Sequence, residues 1–147
     1  MITRDVAKAC EEWAAEAAGL TSSFDTPPEH LNKALPLVIA EVQRKRRRRA
    51  PDEFRERAYQ QVTIRTWTVE LTLLVSPDPS WTASQTLYDM VDALEDALFN
   101  DITLGSRVNF AEKLVDASFD PPEVEFDDGT QARQATFQMV VGELTEV

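Results

Sequence analysis

The chain is poor in the residues from which most active sites and metal sites are built. It holds one cysteine, one histidine and four glycines in 147 residues. A lone cysteine, Cys10, excludes an intrachain disulfide and any metal centre made of cysteine pairs. Gly19, Gly105, Gly129 and Gly142 are scattered, so there is no glycine-rich loop to cradle a phosphate. The histidine, His30, lies in a proline-rich stretch with no serine or cysteine placed to form a nucleophile pair with it. The longest apolar run, around Leu71–Val75, falls far short of a bilayer span. Met1-Ile2-Thr3-Arg4-Asp5 lacks the basic-then-apolar layout of a signal peptide. These absences lead to the expectation of a soluble protein made in a cytoplasm, not an enzyme, with no catalytic residue, cofactor or metal.

What is present is an ordinary globular composition, 43% hydrophobic and 28% charged, in a length that suits one domain over residues 1–147. The net charge of −11 is unevenly spread. Arg44, Lys45, Arg46, Arg47, Arg48 and Arg49 hold six of the fifteen basic residues, which leaves nine against 26 acidic ones, a balance of −17. An acidic body of that size repels nucleic acid at long range. A basic patch set in it is suited to contact between copies or with a partner of opposite charge.

Periodicity predicts an α+β fold, with a mainly antiparallel sheet, two main helices on one face and a long charged loop between strands. Thr3 is placed to cap a helix over Arg4–Ala18 with Gly19 as its stop, and Val6, Cys10, Trp13, Ala17 and Leu20 form its buried stripe. Thr21 to His30 reads as loop or a short edge strand around Phe24, and Leu35–Val42 as a strand. Gln43 to Tyr59, with its dense like charges, reads as a long mobile loop. In Gln61–Ser76, Trp67, Val69, Leu71, Leu73 and Val75 alternate with polar residues, which marks a half-buried strand. Val62 and Ile64 have the opposite parity, which predicts a bulge or bend near Arg65. Thr82 and Gln85 match a capping box for a helix carrying the stripe Leu87, Val91, Leu94 and Leu98. Short strands are expected at Val115, Ala117 and Phe119 and at Val124 and Phe126. Asp127-Asp128-Gly129 is expected to make a hairpin turn into a last strand over Gln131–Leu144, which should share a sheet with the Trp67 strand.

Three groups invite a chemical reading and have a plainer one. Cys10 falls on the buried stripe, so a packed thiol is expected over a reactive one. Asp89, Asp92 and Asp96 share a helix face that can face a divalent cation, but they lie opposite the leucine stripe, as a solvated face does. The run Arg44–Arg49 can neutralise phosphates. No aromatic interleaves with it to stack bases, so an order-on-binding contact with an acidic protein surface is the preferred reading. A DNA-facing or RNA-facing role and a loop without a dedicated partner are the alternatives.

The order of parts resembles the tail terminator (tail completion) proteins of long-tailed bacteriophages. That order is an N-terminal helix, the strand Leu35–Val42, a charged loop, the long strand Gln61–Ser76 and the helix Ala83–Asn100. The exit Ile102-Thr103-Leu104-Gly105, a strand pair and an alternating terminal strand complete it. It covers nearly the whole chain without an invariant signature, and the Arg-rich insertion has no counterpart in the family pattern. The resemblance implies a ring, typically a hexamer, in the virion at the head-proximal end of the tail. Such a ring caps the tail tube, stops its polymerisation and presents a head-joining surface. The implied partners are further copies of the chain, the tail tube protein and a head–tail connector protein, with DNA passing through the lumen without specific binding. Another neck or tail-tube component, such as a head–tail adaptor, fits the same resemblance. A nucleic-acid-binding protein acting through the Arg-rich segment is the alternative from another class.

Overall fold

The structure, a computed structural model, describes residues 1–49, 62–112 and 116–146. Along the chain run α1 (Thr3–Ala18), β1 (Thr21–Ser22), 3-10 segments at Ser23–Asp25 and Pro28–Lys33, β2 (Leu37–Arg49), β3 (Val62–Val75) and α2 (Ser80–Asn100). The short strands β4 (Phe110–Ala111), β5 (Asp116–Ser118) and β6 (Glu123–Glu125) precede the long β7 (Gln131–Glu146).

The fold is α+β, built on one sheet of order β1-β2-β3-β7-β4, with β5 and β6 also paired to β7. The sheet is mixed, which corrects the mainly antiparallel one expected. β1 runs parallel to β2, because the chain returns through the two 3-10 segments before β2 starts. β2 with β3 and β3 with β7 are antiparallel. The outer edge of β7 is covered in pieces: Phe110 pairs with Gly142, Ala117 with Phe137 and Val124 with Ala132.

Alternation on β3 and β7 puts Trp67, Val69, Leu71, Leu73, Phe137, Met139 and Val141 on one face, all buried. Both helices cover that face. α1 supplies Val6, Cys10, Trp13 and Ala14, and α2 supplies Leu87, Val91, Leu94 and Leu98, in one continuous cluster. α1 lies over β2 and β3, and α2 over β3 and β7. The small residues of α1 leave room for Trp13, whose ring lies 6.5 Å from that of Phe137. The opposite face has two smaller clusters, Leu37, Leu74 and Ala132 at one end and Val62 and Ile64 with Phe110 at the other.

Several local expectations change. β3 pairs with β7 without interruption from Val62 to Val75, so there is no bulge near Arg65. Val62 and Ile64 have the opposite parity because they face Phe110 on the other side of the sheet. The register shift lies on β2, between Val42 and Arg44. Ile2 occupies the N-cap of α1, and the Thr3 hydroxyl instead accepts from Trp67 Nε1 at 3.2 Å. α2 starts at Ser80 behind Pro79, which leaves Thr82 inside the helix and removes the capping box. Gly19 does end α1, in the left-handed conformation at φ 70°. Phe119 lies just beyond β5 and is exposed, and Val115 lies outside the described residues. The turn at Asp127-Asp128-Gly129 links β6 to β7, with Gly129 at φ 88°.

The largest correction concerns the charged segment. Gln43 to Arg49 continues β2 as strand, paired with β3 as far as Arg49 opposite Thr63. The remainder of the expected loop, from residue 50 to 59, lies outside the described residues. Repulsion along the run does not prevent pairing, because a strand sends successive side chains to opposite faces, here into solvent on both.

Candidate assembly surface

β2, β3 and β7 carry the sheet beyond the N-terminus of α1 as a three-stranded tongue. The bulge at Gln43 decides how the cations are distributed on it. Val38, Ala40 and Val42 face the helices opposite Leu73, Leu71 and Val69. One extra residue on β2 then shifts the alternation, so Lys45, Arg47 and Arg49 follow on the helix side and Arg44, Arg46 and Arg48 turn to the far side. All six are exposed.

On the helix side the cations gather around Trp67. Lys45 Nζ lies 5.8 Å and Arg65 Cζ 5.7 Å from the ring centroid, within reach of a cation–π attraction. Arg47 stands directly opposite Arg65, an unfavourable pair. Arg65 is drawn the other way, into an ion pair with Glu143, which also takes the Met1 amino group at 3.2 Å. Partial burial pushes the Glu143 carboxyl up, but the Arg65 guanidinium, the Thr145 hydroxyl and the Met1 amino group outweigh it and hold the group below the usual range.

On the far side Arg44, Arg46 and Arg48 line a groove of about 290 Å³ with Thr66, Thr68, Val140 and Glu112. One row away, Glu41 stands opposite Glu70, a like-charge pair that costs stability unless cations lie near. Arg44, opposite Thr68 in the next row on this face, is the first of the cations along the strand from them. An acidic row and a basic row thus share this face.

A second surface lies on α2. Trp81, Tyr88 and Phe99 are 74%, 51% and 48% exposed, and Phe119 meets Tyr88 edge-on at 5.0 Å. Asp89, Asp92 and Asp96 are exposed among these rings. In the sequence, the carboxylates and the buried stripe are the features of α2 that stand out. The missed signal was a second apolar period on α2, with Trp81, Tyr88 and Phe99 spaced seven and eleven residues apart, close to whole turns of about 3.6 residues.

The remaining candidates separate cleanly. His30 is exposed beside Asp25, Thr26 and Lys33 in a shallow depression. Cys10 is fully buried, and burial raises its thiol to about 12, so it is protonated and unreactive at neutral pH. Among the described residues no cluster of histidine, cysteine, aspartate or glutamate is placed to hold a metal ion, and no helix is long and apolar enough to cross a membrane. No protein-family model matches the chain, and a search of curated proteins finds no match to it.

Proposed function

We propose that this protein is a structural component of a long-tailed bacteriophage. In this reading it is a tail terminator that forms a ring, typically of six copies, on the last ring of the tail tube, stops tube polymerisation and offers the head-joining surface. The observation that carries the reading is the exposed basic tongue on an acidic body, which gives one small chain two unlike, mutually attractive surfaces. The order of helices and long strands on which the resemblance rests supports it further. The work done is association and not catalysis, and no cofactor takes part. The partners are further copies, the tail tube protein and a head–tail connector protein, with DNA passing through the lumen without specific contact. The site of action is the head-proximal end of the tail in the virion, after synthesis in the bacterial cytoplasm.

Electron microscopy of the purified protein, alone and with tail tubes, tests this. Single rings and capped tubes are expected. Long stacked tubes would make it a tube subunit, and rings that bind heads but not tubes a head–tail adaptor. The arginine groove with Thr66 and Thr68 favours one further reading, contact with nucleic-acid phosphates. Salt-dependent DNA binding lost on neutralising Arg44, Arg46 and Arg48, with ring formation unchanged, would select it.

A further inference from the structure

We infer that the outer face of α2, at Trp81, Tyr88 and Phe99, is the socket for the β2 tongue of a second copy of this chain, so that copies join head to tail. This deepens the assembly reading above and rests on it. The three aromatics run along one line of α2, turned away from the Leu87–Leu98 stripe that faces the core. An aligned row of large exposed rings marks a surface that is covered in the working state. Asp89, Asp92 and Asp96 flank the row, which fixes the chemistry of what covers it. Rings beside carboxylates suit guanidinium groups, whose plane stacks on the ring while the N–H fork donates to the carboxylate.

The same chain carries that partner. Arg44 and Arg46–Arg49 stand exposed on the tongue, and its cations already meet an aromatic in this way where Lys45 and Arg65 approach Trp67. The two surfaces lie toward opposite edges of the sheet. The run of cations is on β2, whereas α2 sits over β3 and β7, and its Tyr88 meets Phe119 just past β5, on the outer side of β7. Unlike surfaces set toward opposite edges make a heterologous contact, which closes into a ring or continues as a filament. A two-fold dimer does not follow from this placement.

Complementation tests the inference with full-length proteins. A tongue variant carries Arg46→Ser, Arg47→Ser and Arg48→Ser, and a socket variant carries Trp81→Ser, Tyr88→Ser and Phe99→Ser. Sedimentation velocity reads assembly, and circular dichroism confirms folding. Wild type is expected to assemble, and each variant alone to self-associate roughly thirtyfold or more weakly. An equimolar mixture of the two variants should form a dimer and stop there, since the mixture offers one intact tongue for one intact socket. Wild-type assembly matched by the socket variant would overturn the socket and leave the ring reading standing. A wild type that stays monomeric up to its solubility limit would overturn both. Should the serine socket variant fail to fold, the purely surface change Asp92→Arg with Asp96→Arg takes its place. It must weaken assembly, and mixing it with Arg46→Glu/Arg48→Glu must restore association, as dimers or, where the reversed charges also pair, as longer alternating chains; no restoration overturns the inference.

Discussion

The Glu11 carboxylate, fully buried at the junction of α1, β1 and β2, accepts from four groups. The Ser22 and Ser23 hydroxyls donate at 2.6 Å each, the Phe24 amide at 3.1 Å and the Ala40 amide at 2.8 Å. It satisfies an edge amide of β2 that β1, only two residues long, does not reach. Removing it strands the Ser22 and Ser23 hydroxyls and the Ala40 amide, each worth about 1–3 kcal/mol when buried without a partner, while the Phe24 amide keeps Ser22 Oγ at 3.2 Å. Glu11→Ala is therefore expected to destabilise by at least about 3 kcal/mol in urea or thermal unfolding. Leu94, fully buried in the middle of the α2 stripe, is expected to cost about 2–5 kcal/mol on change to alanine. An unchanged melting curve would mean that α2 does not bear on the sheet there. Leu94 was legible from spacing alone. Glu11 was not, because its partners lie eleven to 29 residues away and nothing local distinguishes it from the neighbouring exposed acids.

Two connecting pieces show how short elements are held in place. After α2, Asp101 organises the turn that leads to the buried Leu104 at φ 53° and Gly105 at φ 68°. Its Oδ1 accepts from the Thr103 hydroxyl at 2.6 Å and amide at 2.9 Å, and Oδ2 from the Gly105 amide at 3.0 Å. Led by the Thr103 hydroxyl, these donors hold the Asp101 carboxyl below its ordinary range. A folded-state pKa below the unfolded one contributes stability above the ordinary carboxylate range, and that contribution is lost as pH falls through the folded value. Asp101→Asn should accordingly melt below wild type at neutral pH, with the difference vanishing in acid where the wild-type carboxyl is also protonated. At the other short piece, the tip of the Phe110 ring lies against Gly142. A Cβ there would clash with Phe110 Cζ. Gly142→Ala should displace the ring, cost about 1–3 kcal/mol and speed exchange of the Leu144 amide, which donates to Asn109 Oδ1 at 2.7 Å. Normal exchange at Leu144 would show that β4 seats without the ring.

Across the molecule, charge and exposed aromatic surface point outward in different directions, and the proposed assembly depends on that separation. The tongue cations are solvated one by one, so each exposed ion pair they make with a neighbour contributes little, about 0–1 kcal/mol. A ring repeats the contact in every copy. Arg46→Ser, Arg47→Ser and Arg48→Ser together should leave the melting temperature near wild type while weakening ring formation or tube capping. The deficit should be largest at low salt, because high salt already screens these pairs in the unaltered protein. Normal capping combined with lost DNA binding would replace the assembly reading by the nucleic-acid one.

Period-two and period-3.6 patterns were enough to place β3, β7 and the buried stripe of α2, because alternation and helical spacing are local properties that burial of one face imposes on any chain. Gly19 and the Asp127-Asp128-Gly129 turn were legible for the same reason, since left-handed backbone at those points leaves a local mark. The path of Gln43–Arg49 was not. A run of like charges reads as loop until a partner strand is known, and that partner, β3, is supplied from across the hairpin. Which cations face Trp67 and which line the groove followed from one inserted residue at Gln43, a matter of register that no periodicity within β2 records. The outward turn of Trp81, Tyr88 and Phe99 likewise waited on the fold. Two apolar stripes on one helix compete for the core, and the sheet could cover only the one that β3 and β7 fit.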